Sequence, residues 1–326
     1  MFTLRFDMRA KDGPGSAADL YGTAVAMAAF GERNGAAAVV VSEHHASPDG
    51  YLPAPLLLAS AIAARTERLP IQVAALLLPL HDPIALAEQM AVLDLISRGR
   101  VSYVCAVGYR PEEYAMFGQD FRGRGRRMEE SLRALRRALG GETFEYQGRP
   151  VSVTPRPLTP GGPFLWMGGN SPAAVRRAAR FGMGMLTQGG DPALERIYRE
   201  ACAEHGTKPQ LFINPSGDAP VSCFISEDVE RAWRELGPYL LHDAQMYAGW
   251  MGESSAISKS LARSVDELRG ENGAYRIFTP DEAIAQIRKS GMLMLQPLSG
   301  GIPPRLAWPS LELLVAKVLP AVKAKA

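Results

Sequence analysis

Residues 43–45 read Glu-His-His and directly follow the apolar run Ala36-Ala37-Ala38-Val39-Val40-Val41. The chain has five histidines, and two of them, His44 and His45, stand here. An imidazole titrates near neutrality, so at the end of a buried strand it can give a proton to a bound molecule or take one. Successive strand residues face opposite sides, which aims at most one of the two into a common pocket. The alternative use of both rings is to cap or brace loops, and this stretch alone leaves the choice open.

A second stretch, "LWMGGNSPAAVRRAARFG", ends an apolar run in Gly168-Gly169 and continues with Asn170 and Ser171 as caps before Pro172. Bare backbone N–H groups and the positive end of a helix converge there, which suits an anion such as a phosphate. A tight turn with a well-made helix cap gives the same residues. In "VAALLLPLHDP" the small pair Ala74-Ala75 closes a strand and can admit a flat ring, or can be plain core, while His81 belongs to the turn before the next helix. In "AVGYRPEEYAMFG", Gly108, Tyr109 and Arg110 follow a strand; Arg110 is available to a phosphate or is an exposed structural arginine.

Absences narrow the chemistry. Gly182-Met183-Gly184 has Thr187, and Gly123-Arg124-Gly125 has Met128, where a dinucleotide fingerprint needs its last glycine. No Rossmann nicotinamide site and no Walker motif are supported. His44, His45 and His81 as ligands of a barrel metallohydrolase form a weaker reading, because the strand spacing separates them and no carboxylate-histidine cluster accompanies them. No metal is expected.

These groups need a scaffold of strand ends. Apolar runs near 2–7, 37–41, 71–76, 101–106, 164–167, 185–188, 221–225 and 292–296 alternate with helical periods near 18–34, 55–65, 83–97, 123–139, 172–181, 192–205, 228–239 and 310–322. Several helices open on proline behind a polar cap, as in Asp82-Pro83, Ser171-Pro172 and Asp191-Pro192. Strand after helix in this count predicts an α/β chain, a TIM (β/α)8 barrel with insertions, whose functional groups gather where strands end. A doubly wound sheet is the competing architecture. The insertions fall near 141–163 and 242–275, and residues 1–326 are expected to form a single domain.

Of the 326 residues, 47% are hydrophobic and 21% charged, the balance of a globular chain with a sizeable core. With 36 Lys and Arg against 34 Asp and Glu the net charge is +2, and no basic stripe suggests nucleic acid. Cys105, Cys202 and Cys223 form no close pair and fit a reducing cytoplasm; no apolar run is long enough for a membrane span. A cytoplasmic location is therefore expected.

Read together, "EHH", "AALLLPLHDPIALAEQMAVLDLISRGR", "GYRPEEYAMFGQDF", "PRPLTPGGPFLWMGGNSP" and "LELLVAKVLP" resemble the bacterial-luciferase-like flavin monooxygenases, which are TIM barrels. The resemblance follows the same order over nearly the whole chain. It implies FMN, reduced elsewhere and used with O2 on a small organic substrate, with His44 as the catalytic residue that manages a proton. It implies a flavin site of Glu43, Ala74, Ala75, Tyr109, Arg110, Gly168, Gly169, Asn170, Ser171 and Gln188: phosphate on the 168–171 turn, ring across Ala74-Ala75 joined by a cis peptide, and Gln188 at the ring's polar edge. Val107 stands where luciferase has a phosphate-binding arginine, which points to Arg110 as a replacement. A deazaflavin coenzyme with hydride transfer is the alternative within the same fold. A separate flavin reductase and a homodimer through barrel helices are the partners the resemblance implies.

Overall fold

Aliphatic runs become parallel strands here because they are buried on both faces, as the fully buried run Ser222–Ile225 shows. The structure, a computed structural model, describes residues 1–10, 14–215, 219–251 and 260–324. In chain order its elements are β1 Phe2–Phe6, α1 Pro14–Arg33, β2 Ala38–Val41, α2 Pro55–Arg65, β3 Ile71–Leu76, α3 Pro83–Ser97, β4 Val101–Cys105, α4 Pro111–Met116 and α5 Arg124–Leu139. Then come β5 Thr143–Tyr146, β6 Arg149–Ser152, β7 Leu165–Gly168, α6 Pro172–Arg180, β8 Gly184–Leu186, α7 Ala193–His205, β9 Phe212–Ile213 and β10 Ser222–Ile225. The chain ends with α8 Val229–Met251, α9 Val265–Gly270, β11 Tyr275–Phe278, α10 Pro280–Ser290, β12 Leu293–Leu295, α11 Pro304–Leu313 and α12 Leu319–Lys323.

The chain divides into two compact units. One comprises Val41–Ala46 and Pro53–Pro215. Its strands run β3, β4, β7, β8, β9, all parallel, with Tyr103 opposite Leu165, Met167 opposite Met185 and Leu186 opposite Ile213. The β3–β4 register shifts between Ala74 and Leu76, so the end of β3 leaves the regular ladder. The excursion expected near 141–163 contains an antiparallel hairpin, β5 with β6, followed by a cis bond at Thr154-Pro155. Asp82 caps α3 by accepting from the N–H groups of Ile84 and Ala85, and Pro83 begins the helix, as the sequence suggested.

The other unit comprises Met1–Val40, Ser47–Leu52 and Ser216–Ala326. Its strands run β11, β10, β12, β1, again parallel. Where β1 ends, the guanidinium of Arg9 is fully buried; its Nη1 donates to Asp49 Oδ2 at 2.5 Å and its Nε to Asp243 Oδ1 at 2.8 Å. The rings of Trp250, Tyr51 and Tyr247 surround it at 4.6, 4.7 and 5.2 Å. A cation out of water needs both kinds of partner, and it converts three distant segments into one cluster. Tyr51 and Trp250 thus pack their rings on Arg9.

Three differences from the sequence expectation have local causes. β9 escapes notice because two residues show no period, and β11, Tyr-Arg-Ile-Phe, because a charge interrupts its apolar run. The unit β11–α10 falls between the insertion expected near 242–275 and the strand expected near 292–296, where no element is expected, although Thr279 and Glu282 form a capping box that marks the helix start. Helix α8 runs on to Met251 rather than stopping near Tyr239, carrying Pro238 inside it. Of the insertion expected at 242–275, residues 252–259 lie outside the described residues.

Asp7, at the end of β1, accepts from Gln296 Nε2 at 3.0 Å and from the N–H groups of Arg9 and Gly300 at 3.3 Å. Burial, and then the charge of Asp243, push its carboxyl up to about 7 against the pull of Arg9 and those amides. A raised carboxyl favours folding most when it is protonated, and that advantage fades as pH rises through about 7. Thermal unfolding should therefore occur at a lower temperature at pH 8.5 than at pH 6, with Asp7→Asn flattening the difference. Equal slopes in the two proteins would refute the assignment.

Candidate active site

Strand β2 delivers Ser42, Glu43, His44 and His45 in succession, and all four are buried. Alternation sends the histidines to different partners, as expected of adjacent strand-end residues. His44 Nδ1 lies 2.8 Å from Glu113 Oε1, and His45 Nε2 lies 2.8 Å from Glu43 Oε1. His81 Nε2 meets that same Glu43 oxygen at 2.8 Å, while Leu77 N–H donates to Glu43 Oε2 at 2.6 Å. The three histidines therefore do not converge on one point: two share Glu43 and the third has Glu113.

Glu43 is a fully buried side chain with three hydrogen-bond contacts. Burial alone would raise its carboxyl, but hydrogen bonds from His45 and His81, the charge of His81 and the Leu77 amide hold it down to about 2. His81 is driven the opposite way: burial lowers its pKa, and the hydrogen bond and charge of Glu43 raise it above the ordinary imidazole value. Because Leu77 directly follows β3, Glu43 also ties the histidine segment to the strand carrying Ala74 and Ala75. The Ala74-Ala75 peptide is cis.

The 107–114 segment closes over His44 from the end of β4. Tyr109 places its hydroxyl 3.1 Å from His44 Nε2, so both ring nitrogens of His44 are engaged. Arg110 is buried, not exposed; its Nη1 donates to His45 O at 2.6 Å and approaches Glu113 Oε1 at 3.5 Å, and its Nη2 reaches Ala46 O at 3.4 Å. Glu113 is the residue that sequence reading passed over. It sits in α4, a six-residue helix too short for a periodic signal, beside an exposed Glu112 of the same type. Only the fold distinguishes them.

The Gly168–Ser171 turn follows β7, the strand paired with β4 on one side and β8 on the other. A Cβ on Gly168 would meet Val104 at 2.8 Å, and one on Gly169, whose φ is +147°, would meet Ala174 at 2.7 Å. Both positions need bare backbone. Ser171 caps α6 by accepting from Ala174 N–H at 3.3 Å, and Asn170 Oδ1 is buried with no hydrogen-bond partner among the described residues. Bare backbone N–H groups at a helix N-terminus can meet a ligand's oxygen atoms, and the Asn170 amide turned over would add its NH2. Gln188 lies just past β8 and is exposed.

Residues 2–289 match the sequence pattern of the luciferase-like monooxygenases. The chain belongs to that family. Among curated relatives, limonene 1,2-monooxygenase of Rhodococcus erythropolis is 26% identical over 285 residues, 83% of this chain and 70% of that protein. The oxygenase component of a flavin-dependent trigonelline monooxygenase of Acinetobacter baylyi is 23% identical over 277 residues, 80% of this chain and 74% of its own. An uncharacterized protein of Sinorhizobium fredii is 30% identical over 216 residues, and the chain covers 63% of that relative's length. Among solved structures, the monooxygenase RslO1 of Streptomyces bottropensis superposes with a TM-score of 0.74 at 25% identity, over 98% of this chain and 99% of that one. The oxygenating constituent of 3,6-diketocamphane monooxygenase of Pseudomonas putida, solved in complex with FMN, gives 0.67 at 20% identity over 99% of each chain. The fold class expected from the sequence, that of the TIM-barrel monooxygenases of this kind, is thereby shown. Among the described residues no helix is long and apolar enough to cross a membrane.

In this luciferase-like chain Glu43→Gln should cost stability at pH 7 by roughly 3–5 kcal/mol, the penalty for breaking a buried, hydrogen-bonded charge cluster. The wild-type benefit is present above the unfolded carboxylate value of about 4.3 and is lost as pH falls toward 2. Urea unfolding at pH 7 and at pH 3 measures both effects; an unchanged midpoint at pH 7 would show that the cluster is not holding the strand ends.

Proposed function

We propose that the chain is an FMN-dependent monooxygenase that takes reduced flavin and O2 and oxidises a small organic substrate. The observation that carries this reading is the Gly168–Ser171 cradle in a chain of this family: side-chain-free backbone, a helix N-terminus and a buried unpartnered Asn170 oxygen. An amide side chain can present its oxygen or its NH2, so Asn170 can turn to meet a phosphate. Gly168, Gly169, Asn170 and Ser171 hold the phosphate; Ala74 and Ala75 give the ring a flat floor. Gln188 meets the ring's polar edge, and Glu43, Tyr109 and Arg110 hold the histidine segment in place beside the flavin. FMN in the complex of the diketocamphane enzyme and the flavin dependence of the trigonelline enzyme support the cofactor. The reduced flavin supplies the electrons for O2 activation. His44 holds or moves the proton that this chemistry requires at the ring nitrogen facing Tyr109.

A separate reductase delivers the reduced flavin, in line with the naming of the trigonelline relative as an oxygenase component. The reaction runs in the cytoplasm, where the three buried free cysteines stay reduced. A titration of the purified protein with oxidised and reduced FMN, followed by absorbance and fluorescence, should show tighter binding of the reduced form. His44→Ala should keep that binding and lose nearly all substrate oxygenation; full turnover by this variant would remove His44 from the mechanism.

The protein acts as a homodimer through α2 and α3. Leu57 on α2 is 74% exposed, and Val92, Leu95 and Ile96 on α3 are 43%, 42% and 45% exposed. Four large aliphatic side chains on two packed helices form an apolar face of the kind that subunits cover. Light scattering should show a dimer for the wild type and a monomer for Leu57→Glu combined with Ile96→Glu, while a monomeric wild type would refute the assignment.

A further inference from the structure

We infer that Glu113 is the positioning residue of His44: it fixes the imidazole with its proton on Nδ1 and makes Nε2 the nitrogen that faces the chemistry. The inference rests on the proton-handling role of His44 proposed above, but the geometry behind it is independent of any flavin. Three donors approach one oxygen of Glu113. His44 Nδ1 is at 2.8 Å, His45 N–H at 2.9 Å and Arg110 Nη1 at 3.5 Å, and the carboxylate side chain is fully buried. An oxygen that accepts from a backbone amide and faces a guanidinium carries no proton itself, so the hydrogen in the contact with His44 belongs to the imidazole. Oε2 has no hydrogen-bond partner among the described residues, so the charge is compensated through Oε1.

With Nδ1 protonated, a neutral imidazole leaves its lone pair on Nε2, where the Tyr109 hydroxyl donates at 3.1 Å. The chain of polarity runs from Tyr109 O–H to His44 Nε2, and from His44 Nδ1–H to Glu113. A carboxylate behind Nδ1 stabilises the imidazolium and so raises the basicity of Nε2, the same service an orienting acid gives a catalytic histidine elsewhere. Glu113 and Tyr109 are titratable groups in contact with the two ring nitrogens of His44, and Arg110 is a charge on the far side of Glu113.

The seat of Glu113 is equally determined. Pro111 starts α4 immediately after Arg110, and three residues on, Tyr114 packs with Leu77, Leu80 and Phe121 and donates its hydroxyl to Val107 O. Burying Tyr114 turns its neighbour Glu113 inward and leaves Glu112 in solvent.

The test is long-range proton–nitrogen NMR of the histidine-labelled chain without flavin, with the His44 signals assigned by their loss in His44→Ala. The wild type should show His44 as the Nδ1–H tautomer. Glu113→Gln keeps the shape and removes the charge, so the His44 midpoint should fall by about one pH unit or more; Glu113→Ala should in addition shift protons from Nδ1 toward Nε2. With FMN and substrate, Glu113→Gln should lower kcat by roughly 10²-fold or more and move the acidic limb of the pH profile with the His44 midpoint, leaving KM and FMN affinity unchanged. An Nε2–H tautomer in the wild type, or an unmoved His44 midpoint in Glu113→Gln, overturns the inference. If the tautomer and midpoint behave as stated but no flavin-dependent turnover exists, the monooxygenase reading fails and the positioning role stands.

Discussion

A carboxylate cannot leave water without donors to meet it, and the candidate active site is organised by two that have done so. Glu43 gathers His45, His81 and the Leu77 amide; Glu113 gathers His44, the His45 amide and Arg110. Each acid therefore fixes rings and backbone from several elements at once. Because a lone pair or a proton on the wrong nitrogen would leave a buried charge uncompensated, the network selects one arrangement rather than many. That rigidity is what a proton-handling residue needs, since proton transfer depends on distances held to a few tenths of an ångström.

The other unit shows the same constraint with the sign reversed. Arg9 is the buried ion, and Asp49, Asp243 and three aromatic rings are recruited to it from the 47–52 segment and from α8. A guanidinium suits this position better than an ammonium, because its planar fork bonds carboxylates in plane while its faces stack on rings. Burial and crowding set the cost: Asp7 is pushed toward neutrality by burial and then by Asp243, so this part of the fold is sensitive to pH near neutrality, where Glu43 is not.

Within the unit that carries the histidines, small residues do the shaping. Gly168 and Gly169 are enforced by contacts that would close below 3 Å with any side chain. The Ala74–Leu76 irregularity breaks the β3–β4 ladder next to the site. Bare backbone at strand ends is how a parallel sheet leaves room for a flat, phosphorylated ligand, and the Ser171 cap places a helix N-terminus at the same spot.

Features written in adjacent residues were legible in the sequence alone. The apolar run into Glu-His-His, the Gly-Gly-Asn-Ser turn and the proline starts at Pro83 and Pro172 are local, because strand alternation and helix capping act over a few residues. They determined the α/β class and the divergence of His44 from His45. The partners of those residues were decided only by tertiary structure. Glu113 lies 69 positions from His44 and looks identical to Glu112 until Tyr114 is buried; Asp243 lies 234 positions from Arg9. Nothing local distinguishes an acid that will be buried from one that will face water, since the deciding term is desolvation, and desolvation exists only once the rest of the chain is in place.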